Sequence, residues 1–533
     1  MKILTAEEMA ATDRRTVEEA GIPLSTLMEA AGAAVAAYCR RRCIRSLPRM
    51  KRIVALCGKG NNGGDGMVAA RQLAHDWQDV CVVLLGRMAD VKGEAATALE
   101  RLRAEAPAVK IVEVEDEAAL ATEFTGTNVP GLVLDAVVGT GFKPPLRGLA
   151  ETARRLLNTL SVPVVAVDLP SGWNADSTEQ TVEGAYRADA VVTFTAPKTA
   201  HVFGYMTAGP VLVASIGSPE NIVQSASDLI WAGSSKTIAE KPRDPNSNKG
   251  KFGHVLIVGG SYGTAGAPSM SSLAALRSGA GLVTAAVPKS IVNLVAGVAP
   301  ELMVRPLDEG PEGAVAMTSI AGANLDALLE RITVLAIGPG LSQRGEAKAV
   351  VRDLIARAKI PMVIDADGLN AFDGCTHLLD GTTKTLVLTP HPGEMARLAG
   401  MTVKEVEADR IGLARRFATQ HKLTLVLKGW RTLIAHPDGR IAVNTSGNPA
   451  MAKGGSGDIL TGIVAAMLAQ YPGDVAAAVE AAVYLHGLAG DFAAHVMDEH
   501  TVLATDTVAH LSDAFRYRTH DEDGSTWLCG LRV

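Results

Sequence analysis

Aromatic residues make up only 4% of this chain, which argues against an aromatic-rich β-sandwich. Cysteine is almost as scarce: six in 533 residues, at Cys39, Cys43, Cys57, Cys81, Cys375 and Cys529. Cys39 and Cys43 can share a helix face, but no second pair or nearby histidine completes a zinc set. They read as buried or idle thiols in a reducing compartment. No apolar run is long enough to cross a bilayer. The opening residues Met1 to Glu8 lead into charge rather than an apolar core, so they are not a secretory signal. There is no basic tail, and the formal net charge of -6 gives nucleic-acid binding no electrostatic support. The expectation is a cytoplasmic protein with small-molecule substrates, no membrane or nucleic-acid partner, and a homo-oligomeric state whose size the sequence does not set.

Small residues are plentiful. The chain has 53 glycines, 47% hydrophobic and 20% charged residues, a soluble globular composition suited to close α/β packing, and its length predicts two to four structural units. The densest glycine stretch, Gly447 to Asp458, empties into the apolar run Ile459 to Met467. Gly454, Gly455 and Gly457 allow a sharp turn that presses N–H groups against a ligand, and a helix N-terminus adds its positive dipole end. Asp458 would repel a phosphate there unless it has its own task. Either it caps the helix, or it accepts a proton from a hydroxyl about to be phosphorylated.

In the N-terminal half, Thr5-Ala-Glu-Glu8 is a capping box that opens a helix. Arg52 to Cys57 reads as a buried strand leading into Gly58-Lys-Gly-Asn-Asn-Gly-Gly-Asp-Gly66, with a helix continuing from Met67. Leu132 to Asp135 is a strand ending in the glycine loop Ala136 to Pro145, and Pro163 to Asp168 is a strand reaching Leu169-Pro-Ser-Gly172. Strands and helices alternate, so the three loops fall at one edge of a parallel sheet, where ligands of such folds bind. Asparagine amides can reach ribose or pyrophosphate oxygens, or ligate a hard cation through their carbonyls.

These motifs resemble the NAD(P)H-hydrate epimerase domain, also called the YjeF N-terminal domain, over about residues 1–216. The resemblance implies a Rossmann-like fold that interconverts the C6 epimers of hydrated NADH or NADPH. By position, Asn61, Asn62, Gly63, Gly64 and Asp65, with Gly139, Thr140, Gly141, Phe142, Lys143, Pro144 and Pro145, would hold the hydrate. Asn62, Asp135 and Ser171 would bind a potassium ion, and Asp168 would be the acid/base group near C6.

Past Ile216 the periodicity lapses, and the charged, proline-bearing run Lys241 to Lys251 marks an exposed connection. We therefore read 217–250 as a linker with some local structure near Ile222 to Trp231. A new sheet begins at His254. Its strands end in Gly-Thr-Ala-Gly-Ala267, Gly338-Pro-Gly-Leu341, Asp365-Ala-Asp-Gly-Leu-Asn370, Thr389-Pro-His-Pro-Gly-Glu394 and Leu427-Lys-Gly429, ahead of Gly454-Gly-Ser-Gly-Asp458. In this order they resemble the ADP-dependent NAD(P)H-hydrate dehydratase, a branch of the ribokinase-like fold, over 251–515. By that resemblance Ala267, Gly340, His391 and Asp458 would contact the hydrate. Lys428, Gly429, Trp430, Arg431, Thr432 and Gly457 would bind the adenine nucleotide, with magnesium expected. Trp430 stands where smaller residues are common. The tail 516–533 has no counterpart.

The fold class expected is thus α/β, with two three-layer αβα domains. Hydroxide is a poor leaving group from C6 of the hydrated ring. Phosphorylating it, at the cost of ADP becoming AMP, would let the ring nitrogen expel phosphate, with Asp458 as base; an epimerase would feed the other epimer into that pocket. The alternative is an ATP-dependent kinase of a small alcohol carrying a non-catalytic N-terminal module.

Overall fold

Seven short aliphatic runs of the first half become the strands Ile53–Cys57 (β1), Val80–Leu85 (β2), Lys110–Val114 (β3), Leu132–Ala136 (β4), Val164–Val167 (β5), Ala190–Phe194 (β6) and Val211–Ala214 (β7). All except β3 are buried along their whole length, as strands covered on both faces must be. They pair in parallel in the order β7-β6-β5-β4-β1-β2-β3. Because the chain leaves β1 toward β2 and later returns to its other side at β4, the sheet has its topological switch point at β1 and β4. A crevice opens there beyond the strand C-termini. The computed structural model describes residues 1–43 and 51–532.

The expected capping box forms: Thr5 Oγ1 accepts from Glu8 N at 3.2 Å and Glu8 accepts from Thr5 N at 2.8 Å, starting helix α1 (Ala6–Ala20). Helix α2 (Leu24–Tyr38) follows. The helix expected from Met67 starts earlier, at Asn61, so Asn61 to Asp65 are the first turn of α3 (Asn61–Leu73) rather than a loop. Glycine explains the difference. A Cβ on Gly63 would lie 2.0 Å from the Gly58 carbonyl, so the turn can wind tightly against the loop that precedes it.

The second unit, Asp228–Tyr517, is built on a separate sheet. Its strands are Leu229–Trp231 (β8), His254–Val258 (β9), Leu282–Pro288 (β10), Met303–Leu307 (β11), Val334–Ile337 (β12), Met362–Ile364 (β13), Leu386–Leu388 (β14), Thr424–Leu427 (β15), Leu433–Ala435 (β16) and Ile441–Val443 (β17). They are ordered β11-β10-β9-β12-β13-β14-β15-β16-β17-β8. From β11 to β15 all neighbours are parallel, while β15, β16 and β17 form an antiparallel meander. The switch point here lies between β9 and β12. Helices α4 (Gly266–Arg277), α5 (Pro392–Ala399), α6 (Ser456–Gln470) and α7 (Val475–Val496) carry or flank the strand-end loops.

Two boundaries differ from the sequence reading. Residues 217–227 cluster with the first unit, while 228–250 cluster with the second. In the second unit β8 pairs with β17, and Trp231 is fully buried, its Nε1 donating to Thr445 Oγ1 at 2.8 Å. A three-residue strand is too short for periodicity to register, so it reads as connection. The supposed tail likewise forms a strand, Thr526–Cys529, antiparallel to β7 in the first sheet. Trp527, 3% exposed, anchors it, with its Nε1 donating to Asp521 Oδ2 at 3.1 Å. The first unit therefore comprises Met1–Ser227 and Arg518–Val533. No helix among the described residues is long and apolar enough to cross a membrane.

The tightest helix contact is that of α6 on α4. A Cβ on Gly462 would sit 2.0 Å from the Ser271 carbonyl oxygen. Gly462→Ala is therefore expected to lower the stability of the second unit by about 1–3 kcal/mol through overpacking, read as a drop in its thermal midpoint; an unchanged midpoint would contradict the contact.

Candidate functional site

Each unit gathers its chemistry at the strand-end crevice. In the first unit a cavity of about 680 Å³ is lined by Asn61, Asn62 and Asp65 of α3, by Val137 to Phe142 after β4, and by Asp168 after β5. Lys198, Phe194 and residues of α1 and α2 complete it. Asp168 is 6% exposed and takes φ 65°, a left-handed conformation uncommon outside glycine. Its Oδ1 accepts from Lys198 Nζ and from Thr193 Oγ1, both at 2.8 Å, and its Oδ2 accepts from Thr140 N at 3.1 Å and from the Thr140 hydroxyl. Burial opposes ionisation, but Lys198, His201 and these hydrogen bonds outweigh it and hold the carboxyl well below the ordinary range. His201 is fully buried. Its Nδ1 accepts from Lys198 N at 2.9 Å while its Nε2 faces the Asp168 carbonyl oxygen at 2.7 Å. Burial and then Lys198 push the imidazole down to about 4, so at neutral pH it is an uncharged strut with its proton on Nε2.

Asp135 and Ser171 lie behind this cavity, both fully buried. Asp135 accepts from Ser171 Oγ at 2.6 Å and Ser171 N at 2.7 Å, and burial pushes its carboxyl up to about 6. Both side-chain amide atoms of Asn62 are buried with no hydrogen-bond partner among the described residues. A Cβ on Gly139 would meet Asn62 Oδ1 at 3.1 Å and Asp168 Oδ2 at 3.2 Å, which places the amide and the carboxylate on one side of that loop. Of the loop residues singled out from the sequence, Gly139, Thr140, Gly141 and Phe142 line the cavity. Lys143, Pro144 and Pro145 are exposed on the same loop outside the lining, and Gly63 and Gly64 are buried in packing.

The second unit converges on Lys428 at the end of β15. Its Nζ lies 3.0 Å from Asp365 Oδ1, the carboxylate ending β13, and 3.8 Å from Glu394 Oε2. Asp365, 1% exposed, also accepts from Thr461 Oγ1 of α6 at 2.8 Å. Burial disfavours the Lys428 ammonium, but Asp365 and Glu394 more than offset it and raise its pKa. Gly457 sits against this cluster: a Cβ there would be 3.3 Å from Lys428 Nζ. Asp458 follows in the first turn of α6. Burial, then the Asp365 charge, push its carboxyl up to about 6 against the pull of Lys428.

His391 caps α5 through Nδ1, which accepts from Gly393 N at 3.0 Å; its Nε2 therefore carries the proton, on a side chain 52% exposed. Gly340 takes φ 66°, and its Cβ position lies 3.1 Å from that of Ala267, so these two predicted contacts are neighbours. The turn from Lys428 to Thr432 is held by Arg410, whose guanidinium donates to the carbonyls of Leu427 and Lys428, each at 3.4 Å, and of Trp430. Trp430 carries the Arg431 guanidinium over its ring at 4.3 Å, and Arg431 Nη1 donates to Thr445 O at 2.6 Å.

Sequence reading missed several groups here. Asp13 sits on the helix opened by the Thr5 capping box, whose charges read as ordinary surface, and His201 lies where the sequence reading placed no functional group. Asp491, half-buried on α7, accepts from Gly447 N at 3.0 Å and Asn448 Nδ2 at 2.9 Å, holding the start of the glycine-rich turn. His486 of the same helix has a buried Nε2 without a partner among the described residues. Their polar character within the small-residue run Tyr484 to Asp491 is the signal that could have exposed these last two.

Residues 255–514 match the family model described as NAD(P)H-hydrate dehydratase, and residues 24–200 match that of the YjeF-related protein N-terminus. The bifunctional NAD(P)H-hydrate repair enzyme of Moorella thermoacetica is 41% identical over 526 residues, covering 97% of both chains. Those of Thermofilum pendens and Escherichia coli are 36% and 34% identical, covering 98% of this chain and 97% and 96% of theirs. Among solved structures, the ADP/ATP-dependent NAD(P)H-hydrate dehydratase from Bacillus subtilis, co-crystallised with ATP/Mg2+, is 31% identical with a TM-score of 0.44, covering 54% of this chain and 96% of its own.

The Lys198–Asp168 pair is buried on both sides, so Lys198→Met strands a carboxylate. A carboxyl whose folded pKa is depressed contributes stability above its unfolded value near 4, and that contribution fades as pH falls. The variant is expected to lose about 3 kcal/mol at pH 7, with a smaller gap from wild type below pH 4, in urea unfolding of the first unit. A gap that does not narrow would speak against the pair as its source.

Proposed function

The chain belongs to the family of bifunctional NAD(P)H-hydrate repair enzymes, and from that premise we propose that its two units perform consecutive repair steps on NADH and NADPH hydrated at C6. The first epimerises the hydrate. The second dehydrates the S epimer using ADP, which becomes AMP and phosphate. The observation that carries this is the pairing, in one chain, of two strand-end crevices. Each holds a lysine–carboxylate ion pair, with Asp13 and Asp65 in the first crevice and Asp458 in the second carrying pKa values that burial has raised.

In the second unit Asp458 accepts the proton of the C6 hydroxyl as that oxygen attacks the terminal phosphorus of the nucleotide. Lys428 and the N–H groups at the start of α6 face the charge that develops on the transferred phosphoryl group. The C6–O bond then breaks as the ring nitrogen supplies its electron pair, and phosphate leaves. Lys428 to Thr432 and Gly457 form the nucleotide side of the crevice, while Ala267, Gly340 and His391 hold the hydrate. Among the described residues no group of three or more His, Cys, Asp or Glu side chains is placed to hold a metal. Magnesium would therefore be bound chiefly through phosphate oxygens, as this ion commonly is, and would supply charge neutralisation there.

In the first unit the donors suit a potassium ion. Among the described residues, Asn62 offers an amide oxygen with no hydrogen-bond partner, and the buried Asp135 carboxylate, with Ser171 beside it, has no cationic partner. When bound, the ion would balance Asp135 and order the turn that holds the hydrate. We assign the protein to the cytoplasm on its six scattered thiols, none of them in a disulfide.

The test is repair of mixed-epimer NADPH hydrate with potassium, magnesium and either ADP or ATP, following NADPH absorbance and the nucleotides. Full recovery with AMP formed from ADP is expected; a stable phosphorylated product would instead indicate a kinase. Asp458→Asn should lower the dehydration rate by about 10²–10⁴-fold while epimer exchange continues. Because Asp458 must be ionised to act as base and its carboxyl is pushed up to about 6, dehydration should decline as pH falls below about 6. A rate flat from pH 5 to 8 would exclude that role.

A further inference from the structure

Helix α1 presents one face to the first cavity. Ala6, Met9, Ala10 and Asp13 line it at helical spacing, and α2 adds only apolar side chains to the wall. Asp13 is thus the one charged group that these two helices offer the cavity. It makes no hydrogen bond or ion pair with the described residues, unlike Asp168, whose oxygens are both engaged. Its environment nevertheless contains Lys198 and Asp168 as its principal charged neighbours. From α3 comes Asp65, and Lys59 and Glu94 lie further along the lining. Burial, only partly countered by Lys198, pushes the Asp13 carboxyl up to about 6, and burial with Asp168 raises Asp65 as well. Asp168 is driven the opposite way.

Epimerisation at C6 needs a proton on the departing oxygen and a negative charge facing the ring cation that results. Building on the reading of the first unit as an epimerase, we propose that Asp13 is a second catalytic residue of that site, the acid that protonates the C6 hydroxyl, with ionised Asp168 stabilising the cation. The Asp13 proton joins the hydroxyl oxygen, the C6–O bond breaks, and the ring-nitrogen pair forms C6=N. Water then adds to the opposite face, the C=N pair returns to nitrogen, and the surplus proton of the water returns through solvent to Asp13, while Asp168 stays ionised. The carboxyl pair ends each passage with one proton, as it began. Two carboxyls whose surroundings drive their pKa values apart are the usual division of labour between acid and charge stabiliser.

The experiment uses the full chain and one purified epimer of NADPH hydrate, with potassium and without nucleotide, so that only epimer exchange is observed from pH 5 to 8. For wild type, kcat/KM should fall as pH rises through about 6, the sign expected of an acid that must be protonated. Asp13→Asn should lower the rate by about 10²-fold or more and abolish that falling limb, whereas Asp13→Glu should keep the limb and recover part of the rate. Circular dichroism checks that each variant is folded. If Asp13→Asn does not fold, the wild-type profile and Asp13→Glu still decide. A wild-type profile without the falling limb, or an Asp13→Asn enzyme that keeps it and changes only in KM, would overturn the inference. A wild type that exchanges no epimers would overturn the reading of the first unit itself, and the inference with it.

Discussion

Lys198 Nζ sits 2.8 Å from Asp168 in a crevice that also holds Asp13 and Asp65, and Lys428 Nζ sits 3.0 Å from Asp365 in one that holds Glu394 and Asp458. In both places a single ammonium is shared among more carboxyls than it can neutralise. Desolvation penalises charge left over, so Asp13 and Asp65 are pushed toward the neutral form while Asp168 beside Lys198 stays ionised, and Asp458 is pushed toward neutral in the second crevice. Groups of opposite competence thereby arise from one residue type within one cavity. The surrounding fold is what enforces the shortage: in each unit, parallel strands buried on both faces deliver the charges to one edge of that unit's sheet.

Much of this was legible before any coordinates. Three N-terminal loops and the glycine-rich turn before Asp458 stand out because polar residues and glycines interrupt otherwise apolar runs, and the βα alternation places the three loops on one edge of the first sheet. The carboxylates at strand ends, Asp135, Asp168 and Asp365, fall where such reasoning puts them. What the sequence hides is whatever depends on a partner distant in the chain. Asp13 occupies a helix whose charges look like solvated surface, because only the packing of α1 over β5 and β6 loops makes its position interior. Asp168 and Lys198 are thirty residues apart, and neither announces the other. The strands Leu229–Trp231 and Thr526–Cys529 are too brief for a period-two signal, so each was assigned to connection or tail although each carries a buried tryptophan into a sheet.

The helix that begins at Asn61 illustrates the same limit at shorter range. Asparagine and glycine favour turns by intrinsic preference, and a loop was the natural expectation. Tertiary contact decided otherwise. The glycines let α3 press onto the loop before it, and helical winding then turns the Asn62 amide inward, which a mobile loop would not do reliably.

The first sheet is closed on one side by a strand drawn from the far end of the chain. During synthesis β7 emerges long before Thr526–Cys529 exists, and at about 5–20 residues per second the intervening stretch takes on the order of tens of seconds to be made. Throughout that interval β7 is a bare, fully buried-type edge, the kind of template that recruits foreign strands. The newborn first domain therefore passes through a period of adhesive incompleteness that its finished form no longer betrays, ended only when Thr526–Cys529 pairs with β7.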